Sequence, residues 1–332
     1  MSESEQSTKA RRAVRQQKPR RASTGQRIRL VLIGCGVLLL LLALLVELWQ
    51  RGGPLRCIPS RPREVLTAPI PTPDAFADRP LLTMLVLDVG QGDALLLRSP
   101  NGKTMLVDAG DEQAGSDVCR ALDAYGTKRV DAIVATHPHA DHIGGLADVL
   151  NRYEVGTVYL VDGASTTPVY ERFLRALEKN GCNVTATASE TEIVWDEDVT
   201  ITVLNPIAGY AYEDWNNASI VLKLTYGSVS LLLTGDIEAE TEAILCGRYG
   251  DELQADVLKL GHHGSSSSTT EAFLNLVSPR FAVVSVGRNN DYGHPHRSVL
   301  QRLQKRRIPL YGTDENGVVA AFTDGVRVHI AP

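Results

Sequence analysis

Four residues within a six-residue run could hold metal: His137, His139, Asp141 and His142 in His137-Pro138-His139-Ala140-Asp141-His142. Imidazole nitrogen and carboxylate oxygen are the ligands that borderline divalent cations take. The run follows an apolar stretch, Ala132–Thr136, that reads as a strand, and a loop leaving a strand end can turn close side chains toward one point. Two of the histidines can hold one ion and the Asp-His pair a second. Asp236 ends another apolar stretch, Leu231-Leu232-Leu233, after the turn Thr234-Gly235. A carboxylate at the end of a buried strand is costly unless something compensates it. Its two oxygens could bridge cations about 3.5–4 Å apart. A third apolar strand ends in Gly261-His262-His263-Gly264-Ser265, where one of His262 and His263 is expected to ligate metal and the other to face substrate. Ser265 opens a hydroxyl-rich run that could also face substrate.

A fourth strand, Phe281–Val286, leads into Gly287-Arg288-Asn289-Asn290-Asp291-Tyr292-Gly293-His294. His294 could act as a general acid or contact a developing oxyanion. Arg288 could bind an anionic group. Arg297, Arg302, Lys305, Arg306 and Arg307 form a basic group further on, which either guides a polyanion or is the solvated face of a helix.

These loops need strands to carry them. Strands are expected at Leu82–Leu87, Ala94–Arg98, Thr104–Val107, Ala132–Thr136, Thr157–Leu160, Val184–Thr187, Val199–Leu204, Ser219–Thr225, Val229–Leu233, Val257–Leu260 and Phe281–Val286, with two closing strands near 318–322 and 327–330. Helices are expected at Asp117–Tyr125, Ile143–Leu150, Val169–Lys179, Glu238–Cys246, Glu271–Val277 and Ser298–Arg306. Runs of strands with inserted helices predict two sheets packed face to face with helices outside. No internal sequence repeat is visible.

Ahead of this domain the composition changes. Residues 1–29 carry nine Lys/Arg and two acids, a net of +7, and read as a basic cytoplasmic tail. The rest of the chain carries 25 basic and 37 acidic groups, a net of −12, so the body is no general polycation for nucleic acid. Leu30–Val46 is uncharged and almost wholly apolar, close to the roughly 20 residues that cross a bilayer. The preceding charges put the N-terminus in the cytoplasm and the domain outside. A transmembrane anchor at 30–49 is therefore expected, with a cleaved signal peptide as the rival. Residues 50–80 hold seven prolines and read as a linker, and the folded domain is expected to span 81–332. The five cysteines show no C-x-x-C spacing and are expected as isolated thiols rather than a zinc knuckle.

Together, the H-x-H-x-D-H run, the Asp after a core strand and the late histidine resemble the metallo-β-lactamase superfamily. The stretches Leu87-Asp88-Val89-Gly90-Gln91-Gly92-Asp93-Ala94, Thr136–Gly145, Asn217–Leu222, Leu233–Asp236, Leu258–Ser265 and Tyr292–Pro295 resemble the metallo-hydrolase domain of ComEC-type competence proteins. Phosphorylcholine esterases share several of them. The resemblance implies an α/β fold, an αββα sandwich with the site at one edge. It implies two divalent ions, Zn²⁺ or Mn²⁺, one on His137, His139 and Asp236, the other on Asp141, His142, Asp236 and a histidine of the 262–263 pair. Asp88 and Asp108 would order the site from behind. It implies a phosphodiesterase acting on DNA, with competence proteins as partners; membrane lipid is the partner expected of the N-terminal anchor. The alternatives are hydrolysis of a small or envelope phosphodiester or ester such as a phosphocholine, or a metal-free scaffold. Many superfamily members have a further ligand histidine before the bridging Asp. Here no histidine lies between Ile143 and Gly261, and Asn216 or Asn217 is expected in that region, with Asn217 as a substrate contact.

Overall fold

The computed structural model describes Leu66 and residues 69–331. The expected anchor at 30–49 and the basic tail lie outside them. Among the described residues no helix is long and apolar enough to cross a membrane.

The first sheet begins with an antiparallel meander, β1 (Leu82–Val86), β2 (Leu95–Arg98) and β3 (Thr104–Val107). It continues in parallel through β4 (Arg129–Ala135), β5 (Glu154–Val161) and β6 (Asn183–Thr187). Helices α1 (Gly115–Ala124), α2 (Ala140–Ile143), α3 (Leu146–Arg152) and α4 (Pro168–Asn180) make the crossovers. The second sheet repeats the scheme: an antiparallel meander of β7 (Val199–Asn205), β8 (Val221–Tyr226) and β9 (Val229–Leu233) leads into parallel β10 (Val257–Lys259), β11 (Phe281–Val284) and β12 (Leu310–Gly312). Its crossovers are α5 (Ala239–Tyr249), α6 (Glu271–Val277) and α7 (Arg297–Arg306). After α8 (Thr313–Asn316), β13 (Val319–Thr323) returns to the first sheet beside β1, and β14 (Val328–Ala331) closes its edge. The repeat that the sequence hides is plain in the pairing.

Period-2 alternation builds the layers. Met84, Val86, Leu231, Leu233 and Val257 point between the sheets. Leu85 and Ile133 point out toward Val118, Leu122 and Phe173 of the helices on that side. Leu232, Leu258 and Ala282 point out toward Phe273, Val277 and Leu303 on the other. The result is the expected αββα sandwich.

Three expectations are corrected. The helix expected at Ile143–Leu150 is two, α2 and α3, broken at Gly144-Gly145. Strand β12 and helix α8 are additions, each too short to leave a periodic signal. Part of the expected linker packs on the domain: Leu66 and Ile70 lie against the first sheet's helical core, and Phe76 is buried under Arg327. Cys119, Cys182 and Cys246 are free thiols, as expected.

The break at Gly144 fixes the path of the histidine loop. Gly144 has helical dihedrals, where alanine ordinarily gains about 1 kcal/mol over glycine. Here an added Cβ would lie 2.4 Å from the Glu112 nitrogen and 2.5 Å from the Ala140 carbonyl. Gly144→Ala is therefore expected to destabilise, by about 1–3 kcal/mol in urea denaturation, as overpacking does.

Candidate metal centre

The site lies where parallel strands of both sheets end. Asp108 follows β3, His137–His142 follow β4, Asp236 follows β9, His262 and His263 follow β10, and His294 lies in the loop after β11. Strand carboxyl ends are where α/β folds place their ligands.

Asp141, His142, Asp236 and His263 offer ligand atoms that all lie within 4.8 Å of one another. His142 Nε2 is 3.2 Å, and His263 Nε2 3.4 Å, from the same oxygen of Asp236. His263 Nε2 is 3.3 Å from Asp141. Ligand atoms about 2.0–2.2 Å from a tetrahedral ion sit about 3.3–3.6 Å apart, so this spacing suits one cation. A second observation agrees: His142 Nε2, His263 Nε2 and Asp236 Oδ1 are buried without a hydrogen-bond partner. Three such orphans in one place are costly unless a cation takes their lone pairs. The donor set therefore fits a divalent metal.

Beside it, His137 Nε2 and His139 Nδ1 are 3.0 Å apart, and the His137 ring centre is 4.1 Å from that of His142. His139 is exposed at the mouth, while His137 is buried. Ser219 joins this pair to Asp236, since its Oγ lies 3.2 Å from His137 Nδ1 and accepts from the Asp236 nitrogen.

Electrostatics divide the imidazoles. Burial pulls His142 down, but Asp236, Asp108 and Asp141 together raise it well above its ordinary value. Burial likewise opposes His263, which Asp236 and its carboxylate neighbours raise well above that value. Burial raises Asp236, yet His263 and His142 hold it well below the usual carboxylate range. The centre is thus a negative pocket that takes up positive charge. Burial, with His142, pushes His137 well below its ordinary value.

The neighbours that orient these groups are now visible. Asp108, buried with a left-handed backbone, accepts from the Thr136 nitrogen and hydroxyl and meets His142 Nδ1 at 2.8 Å. His262 and His263 take consecutive left-handed conformations, which side chains rarely adopt. The turn sends His263 into the centre. His262 Nδ1 meets Glu238 at 2.9 Å, and its Nε2 is 4.0 Å from Asp236, so of the pair it is His263 whose ring nitrogen joins Asp141, His142 and Asp236.

His294 stands at the mouth, its ring centre 5.7 Å from His262 and 6.5 Å from His263. Burial, with His296 and His262, lowers it to about 4, so it is neutral at physiological pH. It can donate one N–H without carrying charge.

Other expected residues are not at the centre. Asp88 only caps its own turn, accepting from the Gly90 nitrogen. Asn217 is corrected from substrate contact to scaffold: its Oδ1 accepts from the Glu238 and Thr241 nitrogens at the start of α5, and its Nδ2 donates to Asp214. Ser265 is buried and bonds Ser267. Arg288 is exposed near Asp314. Arg302 donates to the Ser268 and Thr269 carbonyls, and Arg306 to Glu271 and Asn275, so this part of the basic group is committed to α6 and the loop before it. Sequence reasoning missed Asp93, Lys259, Ser219 and Ser285. Lys259 carried a readable signal, a lysine inside an apolar strand that must find a buried acid.

A groove of about 720 Å³ is walled by Tyr210, Tyr212 and Trp215 with Asp162, Glu213 and Asp214. Trp215 also lines a tight apolar pocket against His137 and Pro138.

A family model described as the Metallo-beta-lactamase superfamily matches residues 87–288. ComE operon protein 3 of Bacillus subtilis (strain 168) is 33% identical over 251 residues, which cover 70% of this chain and 32% of that protein. Competence protein ComA of Neisseria gonorrhoeae is 35% identical over 236 residues, covering 70% and 31%. Recombination protein 2 of Haemophilus influenzae is 31% identical over 260 residues, covering 76% and 30%. The chain spans about a third of the length of these relatives.

Two outcomes follow from this geometry. Asn217→Ala should lower stability by about 1–3 kcal/mol in urea, by leaving buried N–H groups unpaired. In a proton NMR titration the His294 ring should titrate near 4. Its folded value lies below its ordinary one, so the stability it supplies is full above about 6.5 and fades as pH falls toward 4.

Proposed function

This chain belongs to the metallo-beta-lactamase superfamily, and on that premise we propose that it is a two-metal phosphodiesterase acting on DNA, anchored to a membrane with its catalytic domain on the outer side. The observation that carries the reading is the cluster of orphaned ligand atoms on His142, His263 and Asp236, next to the His137–His139 pair. His137, His139 and Asp236 would hold one ion, and Asp141, His142, Asp236 and His263 the other, Zn²⁺ or Mn²⁺. Divalent cations supply Lewis acidity and make water acidic enough to attack phosphorus near neutral pH.

The chain's own groups do the rest. Asp108 holds the His142 ring by Nδ1 and so turns Nε2 toward the centre. Neutral His294 donates its N–H to a non-bridging or leaving oxygen of the substrate. DNA is the proposed substrate because the relatives are competence proteins; competence proteins, and membrane lipid through the N-terminal anchor, are the proposed partners. The orphaned atoms speak against a metal-free scaffold.

One observation favours a second reading. The groove walled by Trp215, whose ring also lines the small pocket against His137, is lined by tyrosines, a tryptophan and carboxylates, with no lysine or arginine among its lining residues. Such a wall suits a cationic or amine-bearing group. That would direct the same chemistry to an envelope phosphodiester such as a phosphocholine.

The purified full chain, supplied separately with Mn²⁺ and Zn²⁺, tests both. Cleavage of single-stranded DNA that Asp236→Ala lowers by at least about 10³-fold is the expected result. Hydrolysis of a phosphocholine diester without DNA cleavage would establish the second reading. No hydrolysis of either substrate would overturn the phosphodiesterase assignment.

A further inference from the structure

Behind the cluster sits an ion pair that is outside the expected ligand set. Lys259 ends β10 and, like Val257 two residues before it, faces the layer between the sheets. Its Nζ is 2.7 Å from Asp93 Oδ2 and donates to the Leu260 carbonyl, and both side chains are about 1% exposed. Asp93 comes from the other sheet, from the turn that joins β1 to β2. Well-packed apolar side chains of similar volume commonly stabilise at least as well as a buried ion pair. Stability alone is therefore a poor reason for a lysine and an aspartate here.

The contacts supply a better one. Asp93 Oδ1 lies 3.3 Å from His263 Nδ1, whose N–H donates to the Ser285 carbonyl at 2.9 Å. The Ser285 hydroxyl donates in turn to the Gly92 carbonyl, and the Asp93 nitrogen donates to the Asp141 carbonyl. Gly92 lies so close to Asp141 that a Cβ would come within 2.2 Å of that carbonyl. One two-residue turn thus touches two of the four clustered residues, and Lys259 pins it from the opposite sheet.

We propose that Lys259 and Asp93 are positioning residues for His263 and Asp141: they clamp the Gly92–Asp93 turn against Ser285, whose carbonyl takes the His263 Nδ1–H and leaves Nε2 for the metal. The inference rests on reading Asp141, His142, Asp236 and His263 as a metal site. Holding Nδ1–H from behind is how outer groups orient a ligating imidazole, and losing such a partner typically weakens metal binding about 10–100-fold. Lys259 keeps Asp93 ionised and in place, because without the ammonium a carboxylate buried here would be uncompensated.

The test measures metal affinity and folding side by side on the full chain. Zn²⁺ affinity is read by chelator competition, ligand geometry by the visible spectrum of the Co²⁺ form, and stability as the Tm of metal-free protein. Asp93→Asn is expected to bind Zn²⁺ about 10–100-fold more weakly and to alter the Co²⁺ spectrum. The pair Asp93→Asn with Lys259→Met removes both charges and should regain much of any lost Tm while staying weak for Zn²⁺. Lys259→Arg keeps the charge and should stay near wild type in affinity. A purely structural pair would give a lowered Tm with wild-type affinity and spectrum in either Asp93 variant, and that result overturns the proposal. Should Asp93→Asn alone not fold, the double variant decides in the same way. Wild-type protein that takes up no Zn²⁺ or Co²⁺ would overturn the metal-site reading itself, and the clamp with it.

Discussion

Concentrated negative charge, taken out of water, is the constraint on which the rest of this structure depends. Asp93, Asp108 and Asp236 are almost wholly buried within one small volume, with Asp141 at its edge. Carboxylates so placed repel one another and lack water to screen them. Groups around them supply positive charge or a donor: Lys259 to Asp93, Thr136 to Asp108, and imidazoles between them. The left-handed turns at Asp108, His262 and His263 are strained conformations held in place by this ring of contacts. A proton or a divalent cation completes the balance, and the orphaned nitrogens mark where it belongs.

Much of this was legible in the sequence, because each part rests on a local pattern. Apolar runs ending in His or Asp gave most of the strands and the loops that carry His137–His142, Asp236 and His263. The illegible parts depend on distant partners. Nothing near Asn217 says that its amide will cap the helix beginning at Ala239, so a polar residue in a loop passed for a substrate contact. Which of two adjacent histidines turns inward is decided by backbone dihedrals that neither residue prefers. Lys259 finds its partner 166 positions away, in the other sheet. The matching strand schemes of residues 82–187 and 199–312 are likewise invisible as sequence, since pairing order can persist with little likeness between side chains.

Charge also shapes what can approach. The body is acidic, and the arginines at 302 and 306 are engaged with the neighbouring helix and its preceding loop. The groove offers aromatic faces and carboxylates, which suit a cationic or amine-bearing group.

The clustered residues and the groups behind them come from strand ends in both halves of the sandwich, from Asp93 to His263. The loop at 137–142 carries part of the set, and Asp236 and His263 complete it from the second sheet. Capture therefore waits for the two sheets to close, and a bound cation favours the closed chain over the open one by mass action. In a metal-poor medium the whole domain, and not merely its active edge, would lose its reserve against unfolding. Metal supply would then set how long the protein survives as well as whether it works.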